Sequence, residues 1–333
     1  MLPVQRAGSQ THAARDRARL PAVHDRVGGP PAGVPSGAGD RVGSPQLPGI
    51  RPPQLPRAGQ ILDRQGAPHT GVRAADARRG LLPKADIMKV LITGATSRLG
   101  EAIAAELASD HELRLTDVVG GPSPASHEYV RADLRDAEAV ASLVADIDAV
   151  IHTCETPESC DEPGLTREEL LLDMATRGAH VLMTAAVEAG VRRVACAGTL
   201  EVFASYPDDV YISELWKPLP SPEMETFAKY LGELTVREFA RDHAITATSL
   251  RLGRLVREED VAGDPADLMW VDVRDAAQAF RCVLNRDASS DVRFAARWDV
   301  LHICADVPNA KFLIAEATRR IGYAPTHDFS ANY

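Results

Sequence analysis

Two glutamates flank a lysine at helical spacing in residues 221–233, SPEMETFAKYLGE. Glu225 stands four residues before Lys229, and Glu233 stands four residues after it, so the three side chains share one face of a helix. A glutamate one turn before a lysine can be an ordinary solvated pair that contributes roughly 0.2–0.5 kcal/mol. A carboxylate beside an ammonium group can also serve in proton transfer. The spacing leaves both interpretations open.

A second segment, VLITGATSRLGEAI, has the spacing of a phosphate-binding loop between a strand and a helix. Gly94 permits a tight turn and Gly100 permits close packing of the helix on the strand. The backbone N–H groups between them can receive a pyrophosphate. Asp117, 23 residues beyond Gly94, ends the second predicted strand. A carboxylate there accepts hydrogen bonds from both ribose hydroxyls and repels a 2′-phosphate, so the pattern favours NAD over NADP.

Short apolar runs alternate with helical patterns over the rest of the chain, which predicts a parallel sheet covered by helices on both faces. The predicted strands are residues 89–93, 113–119, 128–134, 148–153, 191–198, 245–253 and 300–305. The predicted helices are residues 98–108, 137–147, 167–189, 223–242, 273–284 and 309–322. The expected fold class is therefore α/β, a Rossmann-type doubly wound parallel sheet with a small C-terminal substrate-binding portion.

The first 87 residues differ in composition from the remainder. They carry a net charge of +7, against −17 for the rest, and hold 12 of the 23 prolines and 12 of the 24 glycines. A segment with so little apolar surface cannot offset its ordering entropy, so residues 1–87 are predicted to be a disordered leader. Because Met88 immediately precedes KVLITG, we expect the native protein to start there. Residues 88–333 then form the NAD(P)-binding domain, with a substrate cap at about 254–333.

From Met88 onward the chain resembles the extended short-chain dehydrogenase/reductase family, the NAD-dependent epimerase/dehydratase group. The loop TGATSRLG is similar to that family's T-G-x-x-G-x-x-G motif, with Ser97 at the middle glycine, and DAVIHT and WVDVRDAAQAF are similar to two further motifs. By this resemblance Asp133 binds the adenine amino group, and His152 and Thr153 lie beside the nicotinamide ribose. The complete set of implied cofactor-binding residues is Gly94, Thr96, Ser97, Arg98, Leu99, Gly100, Asp117, Asp133, Leu134, His152, Thr153 and Lys229.

The same resemblance implies three catalytic positions, and one of them is altered. Thr199 stands where the family has the serine or threonine that orients the substrate oxygen, and Lys229 stands at the lysine that holds the nicotinamide ribose. Glu225 replaces the tyrosine that exchanges a proton with the substrate. As an ionised carboxylate it would accept a proton but donate one poorly. Three other tyrosines could supply the missing phenol, but nothing in the sequence requires any of them to do so: Tyr206, Tyr211 and Tyr230.

Other departures concern the substrate. Gly198 replaces the first serine of the family's serine pair, and Ala175 replaces a frequent asparagine. The segment between the sixth strand and WVDVRD is short, so a nucleotide-sugar is disfavoured, and the size resembles the uronate-dehydrogenase branch. Arg254 and Arg257 could bind a carboxylate, but the segment is crowded with acidic residues. A neutral polyhydroxylated substrate is therefore an equal alternative.

Together these patterns predict a cytoplasmic NAD-dependent oxidoreductase acting on a small sugar-like alcohol or carbonyl. The alternatives are a catalytically silent NAD-binding regulatory or scaffold protein, and an epimerase or dehydratase with tightly bound NAD. The acidic domain argues against nucleic acid as a partner, and no segment is expected to be long enough to span a membrane. The resemblance also implies a possible homodimer through the helices at 167–189 and 223–242. No metal site is expected.

Overall fold

The structure is a computed structural model, and it describes residues 87–121, 127–153, 155, 159–160 and 162–333. The predicted leader, apart from Ile87, lies outside the described residues, so its disorder and its absence from the native protein stay predictions. Everything below concerns the described part of the chain.

A seven-stranded parallel sheet forms the centre of the fold, in the order β3-β2-β1-β4-β5-β6-β9. The order reverses direction at β1, where the chain crosses from one half of the sheet to the other. The predicted doubly wound Rossmann-type sheet is confirmed. The nine strands of the described chain are β1 (Lys89–Thr93), β2 (Glu112–Asp117), β3 (Glu128–Arg131), β4 (Ala149–His152), β5 (Arg193–Thr199), β6 (Thr246–Leu252), β7 (Arg254–Val256), β8 (Trp270–Asp272) and β9 (Trp298–Ile303).

Helices cover both faces of the sheet, and several of them begin at a side-chain cap. Ser97 caps the first helix, Asp136 the second and Asp272 the sixth, each by accepting hydrogen bonds from free N–H groups of the first turn. The helices are α1 (Arg98–Leu107), α2 (Ala137–Leu143), α3 (Arg167–Asp173), α4 (Ala179–Glu188), α5 (Met224–Asp242), α6 (Val273–Leu284), α7 (Phe294–Arg297) and α8 (Ala315–Ile321). A π-helical segment, Met174–Gly178, joins α3 to α4.

Two apolar clusters hold the layers together. One packs α1 and α6 on one face of the sheet, through Leu99, Ile103 and Phe280. The other packs α2, α4 and α5 on the opposite face, through Leu182 and Met183. Strands buried on both faces explain why their sequences are continuous apolar runs rather than alternating ones. The sheet is thus fixed from both sides, and its carboxyl edge is free to carry a site.

The run Arg167–Glu188, from α3 through α4, corrects one expectation from the sequence. By length and composition alone this 22-residue helical run could cross a membrane, so the expectation that no segment reaches that length is wrong. In this fold 33% of its most apolar stretch is buried inside the protein.

Two parts of the C-terminal third differ from the predicted elements. Residues 309–314, predicted as the start of the last helix, are not helical, because Asn309 takes a left-handed φ of 57° and Lys311 is drawn into the interior. There the Lys311 ammonium donates to the Tyr206 carbonyl and to Asp208. The acidic segment between β6 and α6, in which no strand was predicted, contains β7 and β8, and these two strands pair in parallel. Residues 254–272, the first part of the predicted substrate cap, are called the cap segment from here on.

Candidate functional site

A cleft of about 700 Å³ opens at the carboxyl edge of the sheet, beside the crossover at β1. This is where ligands bind in open α/β sheets, because the loops diverge where the strand order reverses. Its walls come from the turn after β1, the ends of β2 and β4, the turn after β3, the π segment and α5. Ten of the twelve predicted cofactor-binding residues line it: Gly94, Thr96, Ser97, Arg98, Asp117, Asp133, Leu134, His152, Thr153 and Lys229.

The turn after β1 has the geometry of an anion-binding loop. Gly94 takes a φ of +65°, and Ser97 links the turn to α1 by donating to the Gly94 carbonyl at 2.7 Å and accepting from Gly100 N–H at 3.0 Å. The first two N–H groups of α1, those of Arg98 and Leu99, have no acceptor within the helix and face the end of the turn. Such donors at a helix N-terminus suit a pyrophosphate.

Leu99 and Gly100 are the two predicted cofactor-binding residues that do not line the cleft. Leu99 is buried in the core beneath α1, so any contact with a cofactor would use its backbone. Gly100 has a packing role, since a Cβ there would lie 2.2 Å from the Gly94 carbonyl oxygen. The close helix-to-strand approach that the sequence predicted for this glycine is therefore present.

Asp117 lies at the end of β2, but its carboxylate already accepts three hydrogen bonds. Thr96 donates to Oδ2 through its N–H at 3.2 Å and its hydroxyl at 2.6 Å, and Val118 N–H donates to Oδ1 at 2.7 Å. A carboxylate has about four acceptor positions. Two ribose hydroxyls therefore fit only if the Thr96 hydroxyl turns away.

Asp133 also has a protein partner, Arg135, which the sequence reasoning did not single out. The guanidinium donates to both carboxylate oxygens and continues to Glu162 at 2.8 Å. Burial alone would raise the pKa of Asp133, but the hydrogen bonds from Arg135 outweigh it and hold that pKa below its usual value. Arg135 lines the cleft as well, so the cleft presents a cation beside the predicted acceptor of the adenine amino group.

His152, Thr153 and Lys229 also line the cleft. The His152 Nδ1 is 2.7 Å from the Thr93 hydroxyl, and burial lowers the pKa of this histidine to about 4, so the ring is neutral at neutral pH. Thr153 is fully buried and donates to the Thr93 carbonyl at 2.9 Å. Lys229 is half-buried, and within the described residues no hydrogen bond or ion pair engages its ammonium group. The cleft thus holds an available cation.

Glu225 does not pair with Lys229, although that ion pair is the one expected on a solvated helix surface. Its carboxylate instead forms an ion pair with Arg167 at the start of α3, and 49% of the Glu225 side chain is exposed. Thr199 ends β5 and its hydroxyl accepts the Glu201 N–H at 3.1 Å. Neither Thr199 nor Glu225 is among the described residues that line the cleft. Their catalytic roles stay predictions.

The three tyrosines that could supply the missing phenol all lie outside the cleft. Tyr206 donates to the Lys217 carbonyl at 3.0 Å and packs edge-on against Trp216. Tyr211 is 62% exposed, and Tyr230 packs against the cluster around Phe203. Among the described residues, none of the three lines the cleft.

Gly198 has a structural explanation that the sequence did not reveal. Glu233 and Arg251 form a buried ion pair next to it, with Nη2 of Arg251 donating to Oε1 of Glu233 at 2.6 Å. A Cβ at position 198 would lie 2.9 Å from the Glu233 Oε2 and 2.8 Å from the Ser249 hydroxyl oxygen. A serine at this position would collide with these groups, so glycine occupies the place of the family's first serine.

Arg98 joins the phosphate loop to the cap segment across 162 positions of sequence. Its guanidinium donates to Asp260 at 3.2 Å and to the Leu255 carbonyl at 3.4 Å, and it lines the cleft. A pyrophosphate bound at the turn would therefore have to compete with Asp260 for this cation.

In calorimetric titrations we expect Asp260→Asn to bind NAD about threefold more tightly than wild type, which is the scale of one exposed ion pair. Asp264→Asn, which removes the same charge from the cap segment, is the control and should match wild type. Equal or weaker binding by Asp260→Asn would contradict the competition.

The comparisons with known proteins agree with this geometry. Residues 90–269 match the family model described as "NAD dependent epimerase/dehydratase family". The chain is 25% identical to the NAD-dependent glucose-6-phosphate dehydrogenase of Haloferax volcanii over 266 residues, 73% of this chain and 95% of that protein. It is 29% identical over 168 residues to the uronate dehydrogenase of Pseudomonas syringae pv. tomato, 50% of this chain and 58% of that protein.

A solved structure supports the fold. A variant of the uronate dehydrogenase from Agrobacterium tumefaciens, complexed with NAD, superposes with a TM-score of 0.59 at 20% identity, over 74% of this chain and 86% of that chain. The family model covers more than half of the chain. This protein therefore belongs to the NAD dependent epimerase/dehydratase family, a family of enzymes, and its cofactor is NAD. The loop at Gly94, the carboxylate at the end of β2 and the Lys229 ammonium, which no other described group engages, fit that cofactor.

Proposed function

We propose that this protein oxidises a hydroxyl group of a small sugar-like alcohol, with NAD as the hydride acceptor. The observation that carries the proposal is the Lys229 ammonium, which no hydrogen bond or ion pair of the described residues engages, in the cleft that the phosphate loop also lines. The short cap segment supports a small substrate, since only residues 253–272 connect β6 to α6. Dehydrogenases of glucose 6-phosphate and of uronates among the relatives support a sugar.

The direction of the reaction follows from the group that replaces the family's tyrosine. Glu225 is bound to Arg167, and an ion pair with a guanidinium engages the ionised form of a carboxylate. An ionised carboxylate accepts protons, which is what the oxidation of an alcohol requires. In this proposal Glu225 leaves Arg167 and takes the hydroxyl proton, Thr199 orients the substrate oxygen, and Lys229 binds the ribose of the cofactor. NAD, when bound, supplies the acceptor for the hydride.

Glu225→Gln tests the proton acceptor. The amide keeps the size of the side chain but cannot take the proton, so we expect NADH formation to fall about 100-fold, the lower range for loss of a general base. The measurement is NADH absorbance with a panel of neutral sugars, sugar acids and sugar phosphates, beside NAD binding by calorimetry, which should be unchanged. Glu238→Gln is the matched control, because Glu238 is also an exposed arginine-paired glutamate on α5. Equal rates in both variants would remove Glu225 from the mechanism.

One observation favours a second candidate function, an NAD-binding protein without turnover. The Glu225 carboxylate is engaged by Arg167, and no described tyrosine lines the cleft. This candidate requires calorimetric binding of NAD with no NADH from any substrate of the panel. In that case Glu225→Tyr, which restores the residue type that the family uses, should create activity.

A further inference from the structure

A charged cluster lies at the carboxyl edge of the sheet, which the proposed function makes the entrance for the substrate. Arg254 is the first residue of β7, and its Nε donates to Glu201 Oε1 at 2.7 Å. Its Nη1 donates to Asp267 Oδ2 at 2.5 Å. The arginine is therefore held between two carboxylates that approach from different segments of the chain.

This cluster belongs to the same edge of the sheet as Thr199. The N–H of Glu201 donates to the Thr199 hydroxyl, two residues earlier. β5 and β6 pair in register with Thr199 opposite Leu252, so Arg254 follows the end of the neighbouring strand by two residues. Ligands of open α/β sheets bind outside the carboxyl ends of such strands. The side chains are also reachable, with 52% of Arg254, 30% of Glu201 and 24% of Asp267 exposed.

The arginines near this entrance are already neutralised. Arg254 has two carboxylate partners, Arg257 lies 3.7 Å from Glu259, and Arg98 pairs with Asp260. The cap segment contains two arginines against six carboxylates. An anionic substrate would have to displace one of these carboxylates from its arginine and then remain beside it. Like charges placed together at an interface weaken binding.

We propose that the Glu201–Arg254–Asp267 cluster is a specificity determinant that makes the enzyme accept uncharged sugars and reject sugars bearing a carboxylate or a phosphate. This inference rests on the substrate site of the proposed function. It sets the protein apart from relatives whose names specify uronate and glucose 6-phosphate, both of them anionic. The exclusion comes from the partners of Arg254, not from the absence of an arginine.

Binding and turnover together test the inference in the full-length chain saturated with NAD. Glucose, galactose and mannose represent neutral hexoses; glucuronate and glucose 6-phosphate represent the two anionic classes. We expect at least one neutral hexose to bind about tenfold more tightly than either anion in NMR saturation-transfer titrations, which is about 1.4 kcal/mol. Tighter binding of either anion, or no binding of any neutral hexose, would overturn the proposal.

Releasing Arg254 should abolish the preference. In Glu201→Gln with Asp267→Asn the guanidinium keeps its position but loses both charged partners, so it can bind a carboxylate by a charge-assisted fork. We expect the ratio of glucuronate to neutral hexose affinity to rise about tenfold. Glu258→Gln with Asp264→Asn removes the same amount of charge, from the cap segment, without touching Arg254, and its ratio should change less than about twofold. An equal rise in both double variants would assign the selectivity to net charge and overturn the cluster.

Two readouts keep this inference separate from the proposed function. Selective sugar binding without NADH would contradict the oxidoreductase proposal and leave the selectivity supported. NADH formed preferentially from glucuronate would support the oxidoreductase and contradict the selectivity. Asp267→Asn alone provides a second variant if the Glu201 change disturbs Thr199, and it should shift the ratio in the same direction.

Discussion

Gly94→Ala is expected to abolish measurable NAD binding and to weaken the fold. An alanine Cβ at this position would lie 2.2 Å from the Thr153 hydroxyl oxygen, and the φ of +65° is unfavourable for any side chain. The left-handed conformation costs about 1–2 kcal/mol, and overpacking a buried threonine adds about 1–3 kcal/mol. Relief of the collision would displace the turn that presents the N–H groups of α1. Calorimetric titration with NAD and urea unfolding measure the two effects.

Gly120→Ala provides the control for this substitution. Gly120 follows β2, and a Cβ there meets no atom within 4 Å. The variant should bind NAD and unfold like wild type. Adding Thr153→Ala to Gly94→Ala removes the oxygen that the new methyl group meets, so part of the lost stability should return and the two changes should be non-additive. Wild-type NAD affinity in Gly94→Ala would show that the cofactor does not use this turn.

Glu233→Gln is expected to lower the free energy of unfolding by about 3–5 kcal/mol, because it leaves a buried arginine without its counter-charge. Arg251 is 5% exposed at its side chain and Glu233 is 4% exposed. Besides the two Arg251 donors, the Glu233 carboxylate accepts the Ser249 hydroxyl at 2.8 Å. The Arg251 Nη1 already has no partner among the described residues, so little remains to compensate the charge. Urea unfolding at neutral pH measures the loss.

Glu238→Gln on the same helix is the comparison, since its ion pairs with Arg237 and Arg241 are exposed. Such a pair contributes at most about 1 kcal/mol. Replacing Glu233 and Arg251 together by methionine should recover most of the stability, because the cost arises from the unpaired charge and not from the loss of a bond. If Glu233→Gln costs no more than Glu238→Gln, the pair is not the buried contact described above.

The fold was predictable because short apolar runs alternate with segments of helical period, and because the first glycine turn marks a strand followed by a helix. The parts that were missed are short or depend on distant contacts. β7 and β8 have three residues each, too few for a period to show. Residues 309–314 look helical in isolation, but burial of Lys311 against Asp208 overrides that tendency. Tertiary contacts of this kind leave no local pattern.

The cofactor side of the site was more predictable than its catalytic side. Gly94 and Asp117 carry signals in their spacing, and the structure brings both to the cleft. The arginines that engage Asp133, Glu225 and Glu201 carry no such signal, because each reaches its partner through a long flexible side chain. Arg167 and Glu225 are 58 positions apart in sequence. Only for Arg135, two residues after Asp133, could a local turn pattern have suggested the contact.

The π segment at Met174–Gly178 has a consequence for the direction in which Arg167 points. A π turn accommodates one residue more than an α turn, and each residue of an α-helix advances the side chains by about 100°. The part of the helix before the bulge is therefore rotated by that angle relative to the part after it. Deleting Ala175 would restore a regular α-helix, and Arg167 would then swing away from α5 while the apolar face of α4 stayed in place. One additional residue thus separates the orientation of the cleft-lining end of this helix from that of its core-packing end.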